Sequence, residues 1–122
     1  YAYMGMTRVK LTISNPKKPT LQIEENFWVD SGAVYTVIPG DVVKRLKLKP
    51  SFEQEFSLAD GTPVKRPVGS ASITYEGREL IMPVVLGENG DNPLLGATTL
   101  ESFGLVLDPF KQKLYQRKLL ML

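Results

Sequence analysis

The feature that most constrains the fold is a pair of apolar, β-rich runs separated by Asp30-Ser31-Gly32. The first run is Phe27–Val29 and the second is Val34–Ile38, and both are rich in the branched and aromatic residues that strands favour. An unpaired charge at the end of a buried strand is costly, whereas a serine hydroxyl can donate and a glycine allows close backbone approach. The pattern therefore predicts two strands joined by a tight turn that holds the Asp30 carboxylate in one position.

The same tripeptide is also typical of an ordinary hairpin turn. Asp, Ser and Gly each favour turns for their own local reasons, so Asp30-Ser31-Gly32 alone does not indicate chemistry. Its interpretation depends on the apolar runs around it and on a second motif far downstream.

The size and composition indicate one soluble globular domain covering residues 1–122, with 43% hydrophobic and 23% charged residues. The formal net charge is only +2. Basic residues cluster at two places in the chain, Lys44–Lys49 and Arg117-Lys118. Neither cluster has interleaved aromatic residues, which argues against a nucleic-acid partner. No apolar stretch reaches the length that spans a membrane, so no membrane partner is expected.

The absence of Cys and His narrows the chemistry. It excludes a thiolate nucleophile, a Ser-His-Asp triad and the usual zinc sites, and no metal or other cofactor is predicted. Carboxylates, Lys, Tyr and hydroxyls remain as catalytic candidates. A Ser-Lys hydrolase that uses Ser31 stays formally open, although nothing in the sequence places a lysine near it. The compartment is undetermined; the lack of Cys and of a signal peptide in this chain slightly favours the cytoplasm.

The residue pattern of the rest of the chain predicts short strands and two short helices. An interruption is expected at Glu25-Asn26. The second helix is expected to begin with a capping box of Thr98 and Glu101 and to stop at Gly104. The fold class is therefore mainly β, a small closed or nearly closed barrel. The predicted strands are Met6–Ile13, Leu21–Glu24, Phe27–Val29, Val34–Ile38, Phe52–Leu58, Val64–Tyr75, Leu80–Leu86, Leu105–Leu107 and Lys113–Tyr115, and the predicted helices are Pro39–Leu46 and Thr98–Phe103.

These motifs resemble one family. Asp30-Ser31-Gly32-Ala33, followed by Thr36-Val37-Ile38, is similar to the active-site strand of the retroviral-type (retropepsin-like) aspartic proteases. Leu94-Leu95-Gly96, with the predicted helix after it, resembles the family's hydrophobic-hydrophobic-Gly motif. The Asp60-Gly61 hairpin lies between the two motifs, where the family places its flap. The resemblance runs from about residue 7 to residue 115.

The resemblance implies an aspartic endopeptidase that hydrolyses peptide bonds with water activated by two carboxylates. Only one Asp-Ser-Gly is present, so the second carboxylate implies a homodimer with one Asp30 from each subunit. Asp30 is then the general acid and base, and Ser31, Gly32 and Ala33 form the active-site loop. Ala59, Asp60, Gly61 and Thr62 become the flap tip over an extended peptide or protein substrate, and Leu94, Leu95 and Gly96 have a structural role. Because family dimers often pair their termini, residues 1–7 and 118–122 are expected to support dimerisation.

Two other functions fit the same sequence. The first is a catalytically silent retropepsin-like module that dimerises or binds extended peptides, since fold does not fix function. The second is an unrelated small β-barrel binding domain, which predicts a monomer with Asp30 exposed in a turn.

Overall fold

The computed structural model describes residues 7–118 and residue 121. Nine strands and two helices lie within these residues. None of these helices is both long and apolar enough to cross a membrane. The elements are β1 (Arg8–Asn15), β2 (Lys18–Val29), β3 (Thr36–Ile38), α1 (Gly40–Leu46), β4 (Pro50–Ser57), β5 (Pro63–Tyr75), β6 (Arg78–Leu86), β7 (Leu94–Leu95), α2 (Ala97–Phe103), β8 (Leu105–Asp108) and β9 (Lys113–Gln116).

Six of the strands form a closed ring, which confirms the expected mainly β fold class. The pairings run β1-β2-β7-β3-β6-β5, and β5 pairs back with β1 through Thr12↔Thr74, Ile13↔Ile73 and Ser14↔Ser72. β4 pairs only with β5 and lies outside the ring, and β8 and β9 form a separate two-stranded sheet. The ring leaves β4 and the first half of β5 as a projecting hairpin.

The core lies inside this ring and under the two helices. Alternate residues of the strands point inward, as the two-residue period of a strand requires. Phe27, Ile13 and Ile73 from three strands of the ring are completely buried, and α2 adds Leu100 and Phe103 to the same cluster. The inward face of β2 therefore anchors the strand that ends at Asp30.

Two local predictions are wrong. β2 is continuous through Glu25 and Asn26, because Leu11 and Lys10 of β1 pair with them in register. The capping box does not form: α2 begins after Gly96 without a side-chain cap. The predicted stop at Gly104 is confirmed, since this residue adopts φ 68° and donates its N–H to the carbonyls of Glu101 and Leu100.

The proposed role of the termini falls mostly outside the described residues. Residues 1–6, 119, 120 and 122 are not described, so the expectation for residues 1–7 and 118–122 stays a prediction.

Candidate active site

Asp30 lies immediately after β2, in a turn that its own carboxylate closes. Its Oδ1 accepts the N–H of Gly32 at 3.0 Å, and its carbonyl accepts the N–H of Ala33 at 3.1 Å. Asp30 is half-buried, whereas Ser31 and Gly32 are exposed. A Cβ at Gly32 would lie 3.2 Å from Asp30 Oδ1, which is tighter than most such contacts. The turn therefore holds the carboxylate in one orientation while leaving it accessible.

β7 fixes the end of β2 from the side. Leu94 and Leu95 pair in parallel with Trp28 and Val29, and the N–H of Asp30 donates to the Leu95 carbonyl at 2.9 Å. Leu95 is itself buried. A short buried strand thus sets the position at which the chain leaves β2 for the Asp30 turn.

Gly96 lets the chain pass directly beneath the loop that follows Asp30. A Cβ at Gly96 would lie 2.5 Å from both the carbonyl carbon and the oxygen of Tyr35, so no larger residue fits without backbone movement. Immediately beyond, the N–H groups of Ala97 and Thr98 donate to the carbonyls of Ala33 and Val34 at 2.7 and 2.9 Å. The first N–H groups of α2 therefore bind the loop that follows Asp30, which is why the capping box is not needed.

A buried pair of hydroxyls joins the same two segments. The side-chain oxygens of Thr36 and Thr99 lie 2.7 Å apart, and Thr36 also accepts the N–H of Gly96 at 3.1 Å. Both threonines are completely buried. The sequence analysis did not identify this pair; the available signal was a threonine inside the apolar run Val34–Ile38.

A cleft of about 470 Å³ separates the loop after Asp30 from the β4–β5 hairpin. Gly32, Ala33, Val34 and Tyr35 line one side, and Phe56, Ser57, Leu58 and Val64 of the hairpin region line the other. The rings of Tyr35 and Phe56 meet edge to face at 6.1 Å between centroids. This aromatic contact connects the loop that follows Asp30 to the hairpin across the cleft.

Two charged residues contribute to the lining of the cleft. Arg66 and Asp91 both line the cleft. Arg66 forms a partly exposed ion pair with Glu88 at 3.4 Å, and Asp91 Oδ2 accepts the N–H of Glu88 at 2.7 Å. Sequence reasoning missed the Arg66–Glu88 ion pair, because it joins the hairpin to a loop more than twenty residues away along the chain. The Asp91–Glu88 contact is local and lies within the loop after β6.

The predicted flap tip forms a well-defined turn but does not line the cleft. Gly61 has φ 86°, and its N–H donates to the Leu58 carbonyl at 2.9 Å. Hydrogen bonds from the Thr62 hydroxyl and N–H hold the pKa of Asp60 below its ordinary value of 3.8. Ala59, Asp60, Gly61 and Thr62 are all exposed, and the cleft wall is formed by the hairpin arms instead. In this structure the turn that contains them is open to solvent.

No group of three or more His, Cys, Asp or Glu residues that could hold a metal ion occurs within residues 7–118 and 121. The chemistry available at the turn is that of the Asp30 carboxylate, the Ser31 hydroxyl and the neighbouring backbone groups. Asp30 itself does not line the cleft, whereas Gly32 and Ala33 of the same turn do. A carboxylate at the edge of a cleft can exchange protons with a molecule bound there.

Comparisons with known proteins agree with this geometry. The sequence matches the family described as "gag-polyprotein putative aspartyl protease" over residues 22–102, which include the Asp30 turn, the hairpin and most of α2. The comparison with curated proteins gives no match.

Solved structures of the same fold are found in viruses, a protozoan and a bacterium. The EIAV protease complexed with the inhibitor HBY-793 is 20% identical, with a TM-score of 0.56 over 80% of this chain and 86% of that one. The retroviral protease-like domain of Ddi1 from Leishmania major is 13% identical, with a TM-score of 0.59 over 93% and 90%. A retropepsin-like aspartic protease from Rickettsia conorii is 22% identical, with a TM-score of 0.54 over 84% and 87%. These likenesses establish a retropepsin-like fold, and the family match, which covers more than half of the chain, shows that it belongs to the gag-polyprotein aspartyl protease family.

Proposed function

We propose that the protein is an aspartic endopeptidase in which residues 7–115 form the catalytic unit and Asp30 supplies the reacting carboxylate. The observation that carries this proposal is the Asp30 turn itself: a carboxylate oriented by the Gly32 N–H at 3.0 Å, beside a cleft of about 470 Å³. Membership of an aspartyl protease family makes peptide bonds the expected substrate.

The active form proposed is a homodimer. The chain contains a single Asp-Ser-Gly, and this chemistry uses two carboxylates on one water. A two-fold axis beside Asp30 brings the same turn of both subunits together, as an isologous interface requires. The exposed Ser31 hydroxyl at this turn is available for a hydrogen bond across the axis.

The proposed reaction needs only these two carboxylates. The two Asp30 carboxyl groups of the dimer would lie next to each other, and neighbouring carboxyl groups cannot both ionise readily. They therefore share one proton. The ionised carboxylate removes a proton from the water as it attacks the peptide carbonyl, and the protonated carboxyl donates its proton to the carbonyl oxygen. The tetrahedral intermediate then collapses: the C–N bond breaks as the amine nitrogen takes the proton held by the pair, and one hydroxyl of the intermediate gives its proton to the other carboxylate as the carbonyl re-forms. One proton therefore remains on the pair again.

The cleft explains how an extended peptide is held for this reaction. Gly32 and Ala33 leave room for the substrate backbone on one side, and the β4–β5 hairpin covers it from the other. Because Ala59–Thr62 are exposed and outside the cleft, the proposed role of this segment as a flap tip requires it to close when substrate binds.

The proposal is tested by incubating the protein with a mixed peptide library from acidic to neutral pH and identifying new termini by mass spectrometry. Asp30→Asn is the inactive comparison. Asp41→Asn is the matched control, because Asp41 is exposed in the first turn of α1 and far along the chain from the turn. Cleavage by the wild type and Asp41→Asn, but not by Asp30→Asn, is expected, with a dimer in sedimentation experiments.

Two results would contradict the proposal. Undiminished cleavage by Asp30→Asn would remove Asp30 from the reaction. A folded dimer that cleaves no peptide would instead support the silent module that binds extended peptides.

A further inference from the structure

A second cavity, larger than the cleft, lies at the opposite end of β2 from Asp30. It has a volume of about 620 Å³ and shares no lining residue with the cleft. Lys18, at the start of β2, lines it, whereas Asp30 follows the other end of that strand. Asp30 is twelve residues beyond Lys18, a path of about 40 Å along an extended strand at roughly 3.3 Å per residue. The cavity is therefore independent of the proposed active site.

The cavity forms where β5 changes its neighbour. Up to Gly69, β5 pairs with β4, and from Ser72 onward it pairs with β1, so Ser70 and Ala71 have no partner on that side among the described strands. Lys49, just before β4, packs closely over the gap: a Cβ at Gly69 would lie 2.5 Å from its carbonyl oxygen. The result is a notch between the β1–β2 turn and the root of the hairpin.

Four lysines surround this notch, and we call it the lysine notch after them. They are Lys17, Lys18, Lys47 and Lys49; all are exposed, and no acidic residue lines the cavity. The one ion pair found within residues 7–118 and 121, between Arg66 and Glu88, does not involve them. Four lysines thus border one concavity that no acidic residue lines.

A buried asparagine holds the two sides of the notch together. Asn15 is 8% exposed, and its side-chain N–H₂ donates to the carbonyls of Leu46 and Lys47 at 2.8 and 3.2 Å. Its side-chain oxygen accepts the N–H of Lys17 at 2.8 Å. The backbones that carry Lys17 and Lys47 are therefore fixed relative to each other before any ligand binds, which lowers the entropic cost of binding.

The lining between the lysines is largely apolar. Leu48 contributes from the core, and Ile81 of β6 is 64% exposed although it lies in the middle of its strand. An exposed branched residue beside four lysines suits a ligand with both an apolar side chain and several negative charges. The cavity is lined by no aromatic residue on which a nucleic-acid base could stack, and it is concave rather than a protruding basic face that would lie on a membrane.

We propose that the lysine notch is a docking site for an acidic peptide segment, whose carboxylates pair with the lysines while one apolar side chain packs on Leu48 and Ile81. The segment would belong to a partner or substrate protein and would bind away from the cleft. Because Lys49 and Pro50 stand at the root of the β4–β5 hairpin, the occupant would contact the base of the element that covers the cleft.

The test uses fluorescence anisotropy with a labelled decapeptide of alternating glutamate and leucine. A peptide with glutamine in place of glutamate is its control. The notch variant is Lys17→Glu with Lys49→Glu, and the matched variant is Lys10→Glu with Lys113→Glu, which carries the same net charge at exposed positions outside the notch. Ile81→Ser tests the apolar contact. The assay needs no catalytic activity, so its outcome is independent of the proposed protease function.

The notch variant is expected to weaken binding of the glutamate peptide by about tenfold or more, as loss of complementary charge does at an interface. The Lys10 and Lys113 variant should change binding by less than about twofold, since exposed charges outside the notch act on the peptide only through attraction that salt screens. Ile81→Ser should weaken binding without changing its salt dependence. Equal loss in both charge variants, or equal binding of the glutamine peptide, would overturn the proposal. So would binding of single-stranded RNA or anionic vesicles at the notch in preference to the acidic peptide.

Discussion

The hydroxyl groups of Thr36 and Thr99 lie 2.7 Å apart in the core, although 63 residues separate them along the chain. Thr36 follows the Asp30 turn in β3, and Thr99 lies on α2 just after Leu94-Leu95-Gly96. The contact therefore joins the two motifs by which the family resemblance was first identified. Because Thr36 also accepts the Gly96 N–H, one hydroxyl of β3 satisfies two polar groups of the segment that follows β7.

Replacing either threonine with valine is expected to destabilise the fold by leaving a buried polar group unpaired, at a cost of about 1–3 kcal/mol. Thr36→Val should cost more than Thr99→Val, because it leaves both the Thr99 hydroxyl and the Gly96 N–H without a partner. Urea denaturation of both variants and the double variant measures this. The double variant should lose less stability than the sum of the two. Thr20→Val, at an exposed position of β2, is the control. Strict additivity would mean that the two hydroxyls do not interact.

Substitution by alanine is expected to have different effects at Gly32, in the Asp30 turn, and at Gly96, which packs against the Tyr35 backbone. Gly96→Ala places a Cβ 2.5 Å from the Tyr35 backbone, which cannot rotate away, so a loss of about 3 kcal/mol or more in unfolding free energy is expected. Gly32→Ala meets only Asp30 Oδ1 at 3.2 Å, so the protein should fold but hold the carboxylate differently. Thermal unfolding and peptide cleavage separate the two effects. A fully stable Gly96→Ala protein would contradict the close packing of these segments.

The structural features predicted correctly from the sequence are mostly ones that depend on residues close together in the chain. The Asp30 turn, the Asp60-Gly61 turn and the Gly104 stop each depend on residues next to one another, and all three appear where the pattern placed them. The two wrong local predictions concern segments whose backbone groups bind distant partners. Glu25 and Asn26 are held in a strand by β1, and the first N–H groups of α2 donate to Ala33 and Val34.

The lysine notch could not be predicted from the sequence, because it too depends on residues that are distant along the chain. Its residues come from four parts of the chain, between Asn15 and Ile81, and no local pattern connects them. The cleft is similar, because Tyr35 and Phe56 meet only once the hairpin folds back over the loop.

The Asp60-Gly61 turn is expected to lose its hydrogen bonds in strong acid. Bonds from Thr62 lower the pKa of Asp60 below 3.8, so the ionised form is favoured by the folded turn. A carboxyl whose folded pKa is depressed contributes stability above its unfolded pKa and loses it as the pH falls through the folded value. The loss should therefore occur below pH 3.8. An NMR titration that follows the Thr62 amide measures it, with Asp60→Asn as a non-titrating control. A midpoint above 3.8 would contradict the role of these bonds.

The contact between Tyr35 and Phe56 is expected to control how firmly the β4–β5 hairpin covers the cleft. Edge-to-face pairs contribute about 0.5–1.5 kcal/mol beyond buried area, so Phe56→Ala should raise KM for a cleaved peptide roughly threefold to tenfold. The change in kcat should be smaller, because Phe56 lines the cleft at the hairpin and not at the Asp30 turn. Phe52→Ala is the matched control: Phe52 lies on the same strand, is 49% exposed and does not line the cleft. Steady-state kinetics on a peptide identified by the library screen measures all three proteins. If Phe52→Ala raises KM as much as Phe56→Ala, the hairpin acts through its general stability and the aromatic contact has no specific part in closing the cleft.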